Sequence, residues 1–310
     1  MSNKNLLIVL GATAVGKTRL AVQLAKDFNG EVISADSRQV FKGMDIGTGK
    51  DLSEYDVDDI RIPYHLIDIK QAGERYQVNA FKEDFYAAFQ DITQRRKLPI
   101  LCGGTGMYIH SLLQNHTLTA IPVNEILREN LLPLGKEQLR QIIDGFPIAL
   151  RKQADYSSSK RLIRAIEIAQ FLTDNEDFAI KEKPDLKPLV IGLYDDVETR
   201  RYKIIARLEQ RLSNGLIEEV QDLLSKGVSE EMLVFYGLEY KFVMAYLNNE
   251  ISFDTLKVRL GTAICQFAKR QMTFFRKMEK DGVQINWIEA TDNSEQVKRS
   301  ASGLFEQHFH

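Results

Sequence analysis

The sequence predicts an α/β protein with a parallel sheet flanked by helices, and three observations carry that expectation. Short apolar, β-rich runs recur at 6–10, 31–35, 100–102 and 189–194, as buried parallel strands require. Segments with apolar residues at helical spacing lie between them. Examples are Leu20, Ala21, Leu24, Ala25 and Phe28, then Ala80, Phe81, Phe85, Ala88, Phe89 and Ile92. Finally, glycine-rich turns join strand to helix twice, at 11–16 and 103–106.

The first strand runs into Gly11, Ala12, Thr13, Ala14, Val15, Gly16, Lys17 and Thr18. This spacing on a strand–turn–helix is that of a phosphate-binding P-loop. Gly11 and Gly16 permit the tight turn that points successive N–H groups at a phosphate. The helix N-terminus adds positive potential. Lys17 supplies a mobile cation, and the Thr18 hydroxyl suits a magnesium ion. A polyphosphate or diphosphate ligand follows, on a P-loop NTPase-like sheet.

Asp36 comes just after the second strand, on the ligand side of a doubly wound sheet. Its residue type fits a general base or metal partner, and equally a turn or cap aspartate. Glycine-rich 42–50 has no helical period and reads as a loop. A further strand is expected around 65–69, where His65 reads first as a structural histidine and only then as a ligand. At 103–106 the turn Gly-Gly-Thr-Gly allows close backbone approach and puts the Thr105 hydroxyl at its apex. Prolines and glycines break up residues 114–155, read as a small, mostly helical insertion; the body is 1–113 and 156–310, with a helical C-terminal part. Helices are expected over 160–173, 198–212, 216–224, 240–247 and 253–275, and a last strand at 285–288.

The 310 residues carry a net charge of −2, so the molecule as a whole does not attract polyanions. Its basic residues cluster, however, at Lys160, Arg161 and Arg164, along 200–211, and at 269–280. Such clusters are solvated helix faces by default and a basic cleft when they meet. Cys102 and Cys265 lie far apart and read as packing residues. No apolar run reaches the roughly 20 residues of a membrane span, and the N-terminus lacks the apolar core of a signal peptide. A cytoplasmic location with no membrane partner is the expectation.

Taken in order, 11–18, 33–40, 45–48, 65–68, 103–108, 161–167, 207–211, 215–220 and 268–271 resemble the tRNA dimethylallyltransferase family, also called tRNA isopentenyltransferases. The resemblance covers nearly the whole chain. It implies transfer of a dimethylallyl group from dimethylallyl diphosphate to the N6 amine of the adenosine beside the anticodon. It also implies magnesium, a tRNA anticodon loop as partner, and a monomer. Asp36 would be the base and Thr105 would orient the reacting centre. Lys17, Thr18-bound magnesium and Arg207 would stabilise the departing diphosphate. tRNA contacts would come from Asp36, Ser37, Arg38, Gln39, Thr105, Lys160, Arg161, Leu162, Ile163, Arg164, Gly237, Lys269, Arg270, Gln271 and Arg276. Ala12 and Phe274 stand where the family usually has Pro and Trp, and the 114–155 insertion is shorter than the family's. Read from residues alone, a P-loop kinase, an inactive RNA-binding module and prenyl transfer to a free adenine nucleotide stay open.

Overall fold

A computed structural model describes residues 4–114, 117–152, 154–175, 177–178, 183–290 and 293–309. The chain opens with β1 (Leu6–Gly11), α1 (Lys17–Asp27), β2 (Gly30–Ser34), β3 (Asp56–Val57), β4 (Ile60–Arg61) and β5 (Tyr64–His65). Next come α2 (Val78–Gln94), β6 (Leu98–Gly103) and α3 (Gly106–Leu113). Four helices follow: α4 (Glu125–Leu131), α5 (Lys136–Asp144), α6 (Ile148–Arg151) and α7 (Ser159–Asp174). The remainder is β7 (Pro188–Tyr194), α8 (Val197–Ser213), α9 (Leu216–Ser225), α10 (Glu230–Tyr236), α11 (Leu238–Leu247), α12 (Phe253–Lys280), β8 (Asn286–Glu289) and α13 (Ser294–Phe309).

The main sheet has six strands in the order β5-β2-β6-β1-β7-β8, every neighbouring pair parallel. β1 is central. Leu7 faces Ile100 on one side and Leu189 on the other. All six residues of β1 are buried, which explains an apolar run without alternation. The connection from β1 to β2 runs one way along the sheet and that from β6 to β7 runs back the other way, so a crevice opens at the carboxyl ends of these strands, where such sheets bind ligands. The strand expected over 65–69 stops at His65, because Leu66 (φ 61°) and Asp68 (φ 55°) turn left-handed. Asp68 then accepts a hydrogen bond from the buried Lys50, which also donates to Phe41 O and Asp45. Helices α10 and α13 add to those expected. No helix among the described residues is long and apolar enough to cross a membrane.

The chain forms two compact units, residues 1–114 with 184–310, and residues 115–183. The second unit is longer than the expected 114–155 insertion because it includes α7. The apolar stripe of that helix, Leu162, Ile163, Ile166 and Ala169, is buried with Leu131, Leu139 and Ile143. Glu167, also buried, accepts from Arg128 at 2.8 Å and from the Asn124 N–H at 3.0 Å. Ser158 caps α7, its side chain accepting from the Arg161 N–H.

His65 has the structural role. Its Nε2 lies 2.8 Å from Glu31, a β2 carboxylate 1% exposed that also takes a bidentate pair of bonds from Arg95. The Arg95 hydrogen bonds, aided by His65 and opposed by burial, hold the Glu31 carboxyl down at about 2. A depressed folded-state value stabilises the fold above the ordinary carboxylate range, and this stability is lost as pH falls from that range to about 2. Titration of unfolding free energy should show an acid-labile component of about 3 kcal/mol in the wild type. In Glu31→Gln that component should be missing; an unchanged acid profile would remove Glu31 from the account.

Candidate active site

The P-loop forms because two of its residues accept backbone angles that side chains resist. Gly16 caps α1 in the left-handed region (φ 79°, ψ 23°), and Ala14 also has a positive φ of 65°. A Cβ on Gly11 would lie 2.6 Å from Leu193 O on β7, so glycine permits the close approach. No side chain caps α1, leaving its leading N–H groups to an anion. Lys17 Nζ donates to Ala12 O at 2.6 Å. Burial pushes its pKa down, with Cys102 and Asp36 opposing.

Asp36 and Thr105 meet from adjacent strands. Asp36 Oδ1 accepts from the N–H groups of Arg38 (2.8 Å) and Gln39 (3.4 Å). Thr105 Oγ1 accepts from the Ser37 N–H at 3.1 Å. Gln39 links onward, donating to Gly49 O at 3.2 Å.

The opposite wall comes from 44–51 and α8 to α11. The Glu219 carboxylate gathers the N–H groups of Asp45 (2.7 Å), Ile46 (2.6 Å) and Gly47 (3.0 Å), with the Tyr240 hydroxyl at 2.9 Å. Arg207 donates to Asp51 at 2.6 Å and to Gly49 O at 3.4 Å. Arg211 pairs with Glu239 at 3.7 Å. Arg38 donates to Phe235 O at 3.1 Å and lies over the Phe235 ring, 5.3 Å from its centroid. Burial lowers the pKa of Arg38 and of Arg211 and raises that of Glu239.

These walls enclose a cavity of about 220 Å³ lined by Lys17, Asp36, Arg38, Thr105, Arg211 and Gln271, among others. A basic loop shaped for phosphate thus shares one small space with a carboxylate and a hydroxyl. A family model described as IPP transferase matches residues 39–278, and one described as isopentenyl transferase matches 4–66. This chain belongs to the IPP transferase family. The tRNA dimethylallyltransferase 1 of Parabacteroides distasonis is 47% identical over 94% of each chain. The tRNA dimethylallyltransferase 2 of Porphyromonas gingivalis is 48% identical over 92% of this chain and 94% of its own. Among solved structures, the full-length tRNA isopentenylpyrophosphate transferase of Bacillus halodurans matches with a TM-score of 0.71 at 29% identity, covering 99% of this chain and 98% of that one. A eukaryotic dimethylallyltransferase acting on tRNA matches with a TM-score of 0.78 at 25% identity, covering 98% and 80%.

The positions that the IPP transferase resemblance singles out do not all meet at this cavity. Gly237, between α10 and α11, lines the cavity with Asp36, Ser37, Arg38, Thr105 and Gln271. Arg207 stands outside that lining, engaged with Asp51, while Arg211 one turn later faces in. On α12, exposed Arg270 lies over the Phe267 ring at the cavity, 5.9 Å from its centroid. Lys269 and Arg276 face a different, larger cavity of about 1270 Å³ between α8 and α12. Residues 160–164 belong to the second unit. Leu162 and Ile163 are buried there as packing residues, which takes their side chains away from RNA. Arg164 is spent on Leu118 O, Ile121 O, Pro122 O and Glu167. Lys160 and Arg161 remain exposed, the latter paired with Asp155.

Glu219 has no partner legible in the sequence, because the N–H groups it holds at 45–47 lie more than 170 residues away. Glu219→Gln leaves a single acceptor oxygen for three backbone donors and should cost about 2 kcal/mol. Thermal unfolding together with limited proteolysis at 42–55 checks this. A variant with unchanged melting and no new cleavage there would show the carboxylate to be dispensable.

Proposed function

We propose that this protein transfers the dimethylallyl group of dimethylallyl diphosphate to the N6 amine of the adenosine next to the anticodon in tRNA. The observation that carries this reading is the shared cavity of Lys17, Asp36 and Thr105 in a member of the IPP transferase family. Family membership favours it over the kinase that a P-loop alone would allow.

The loop recognises phosphate oxygens and is indifferent to what they are attached to, so an isoprenoid diphosphate serves as well as a nucleotide. As the N6 lone pair forms its bond to C1, the C1–O bond breaks and diphosphate leaves with the bonding pair. Asp36 takes the surplus N6 proton. Oδ1 is held by the Arg38 and Gln39 N–H groups; the other oxygen is directed to the amine. Lys17 moves from Ala12 O to the leaving group, and the α1 N-terminus shares the load. The Thr18 hydroxyl, in the first turn of α1, would serve as a ligand to a magnesium ion. Bound there, it supplies further positive charge to the departing diphosphate.

A stacked base cannot enter so small a cavity, so the adenine flips out of the anticodon loop. Unpaired loop bases make this easy. Phe267 beside Arg270, and Phe235 beside Arg38, offer the aromatic–guanidinium surfaces on which neighbouring bases stack. The protein acts as a monomer on this reading, since one chain contains every group it uses.

Asp36→Asn should lower the rate of isopentenyladenosine formation roughly 10²–10⁴-fold, the usual worth of a positioned base. Digestion of the tRNA and mass spectrometry of its nucleosides, with filter binding in parallel, measures rate and affinity. Affinity for tRNA should stay nearly constant. If affinity fell as far as the rate, Asp36 would be a binding residue, and a wild type yielding no isopentenyladenosine would sink the proposal.

A further inference from the structure

Gln271 lies on α12, only 9% exposed, in the lining of the cavity. Its Oε1 accepts from the Thr13 N–H at 2.9 Å and its Nε2 donates to Gly104 O at 2.9 Å. The partners fix the amide orientation, because an N–H can only donate and a carbonyl can only accept. Both ends of the side chain are therefore spent on backbone.

Those two backbone groups matter for where they stand. Thr13 is in the P-loop and Gly104 immediately precedes Thr105. The β1–β6 register ends at Leu10 opposite Gly103. Beyond that pair no backbone rung joins the strands, and Gln271 supplies the next link with a side-chain amide. Gly104 makes the room: a Cβ there would come within 2.4 Å of Nε2. Three residues further along α12, Phe274 covers Gly106, where a Cβ would lie 2.4 Å from its ring. The helix thus carries exposed Lys269 and Arg270 on one part of its surface and grips the site with another.

We propose that Gln271 is a positioning residue that holds the P-loop and the 103–106 turn in register, setting the separation between the departing diphosphate and the Asp36–Thr105 pair, and that it makes no contact with RNA. This departs from the tRNA-binding role that the family resemblance gives the position. It also removes the Thr13 N–H from the anion site, leaving diphosphate to the N–H groups that follow in the loop. The inference rests on the transfer reaction proposed above; its diphosphate-binding readout does not.

The test uses Gln271→Met, which keeps the shape and loses both bonds, Gly104→Ala, which displaces the amide from the other side, and the double variant. Four quantities are measured on folded protein well below its melting temperature. They are kcat for isopentenyladenosine formation, KM for dimethylallyl diphosphate, calorimetric affinity for inorganic diphosphate, and affinity for tRNA. Each single variant should lose about tenfold to a hundredfold in kcat, the effect of a slightly misplaced reacting group. Diphosphate binding should weaken, and tRNA affinity should hold. The double variant should match the worse single within about twofold, because both changes break one link. Losses that multiply in the double variant would overturn the proposal. So would a tRNA affinity that falls with the rate, or lower melting with kcat intact. If the wild type makes no isopentenyladenosine, the transfer reading fails by itself. The diphosphate arm then decides: a shared, non-additive loss supports the link, and no loss refutes it. If Gln271→Met does not fold, Gly104→Ala decides alone on the same readouts.

Discussion

The site depends on how closely two backbones approach where β2 and β6 end. A Cβ on Gly103 would lie 2.4 Å from Ala35 O, so only glycine allows the contact. The Ala35 N–H donates to Cys102 O at 2.7 Å and Ala35 O accepts from the Thr105 N–H at 3.2 Å. That contact brings the Thr105 hydroxyl under the Ser37 N–H and places Asp36 alongside. A wider spacing would separate the Asp36 carboxylate from the Thr105 hydroxyl by a side chain's width, and no rotamer change would restore it. Gln271 then ties this pair to the P-loop on β1.

Electrostatics follow from the same enclosure. Lys17, Arg38 and Arg211 share a small space whose burial disfavours their charge, while Asp36 and Glu239 compensate in part. On the proposed reading, a diphosphate entering this space would gain from preorganised cations and N–H groups, and in turn would relieve their mutual repulsion. Lys17, parked on Ala12 O, needs only a side-chain movement to engage it. Cys102 beside it is buried with its thiol pushed up to about 12, which makes it an inert neighbour and not a nucleophile.

Much of this was legible in the sequence because it is local. The P-loop, the position of Asp36 past a strand and the glycine turn before Thr105 are patterns over a few residues. Their convergence follows from parallel-sheet topology. Long-range side-chain contacts were not legible. Glu219 reaches loop 45–47 across more than 170 residues, and Gln271 reaches Thr13 across 258. Nothing in the neighbourhood of either residue announces its partner. The boundary of the second unit went astray because the apolar stripe of α7 suits any core equally well; only packing reveals that it covers Leu139 and Ile143. α10 and α13 left readable signs. Ser229 accepts from the Met232 N–H and Asn293 from the Gln296 N–H, both ordinary N-caps.

The proposed reaction requires its two substrates to meet between the P-loop and Asp36. A crystal structure of this protein with a non-reactive thio-analogue of dimethylallyl diphosphate and an anticodon stem-loop would show it. The expected result is diphosphate on the N–H groups after Thr13, and a flipped adenine whose amine hydrogen-bonds Asp36 with C1 of the donor in reach. Diphosphate lodged away from the P-loop, or an adenine amine distant from Asp36, would contradict it.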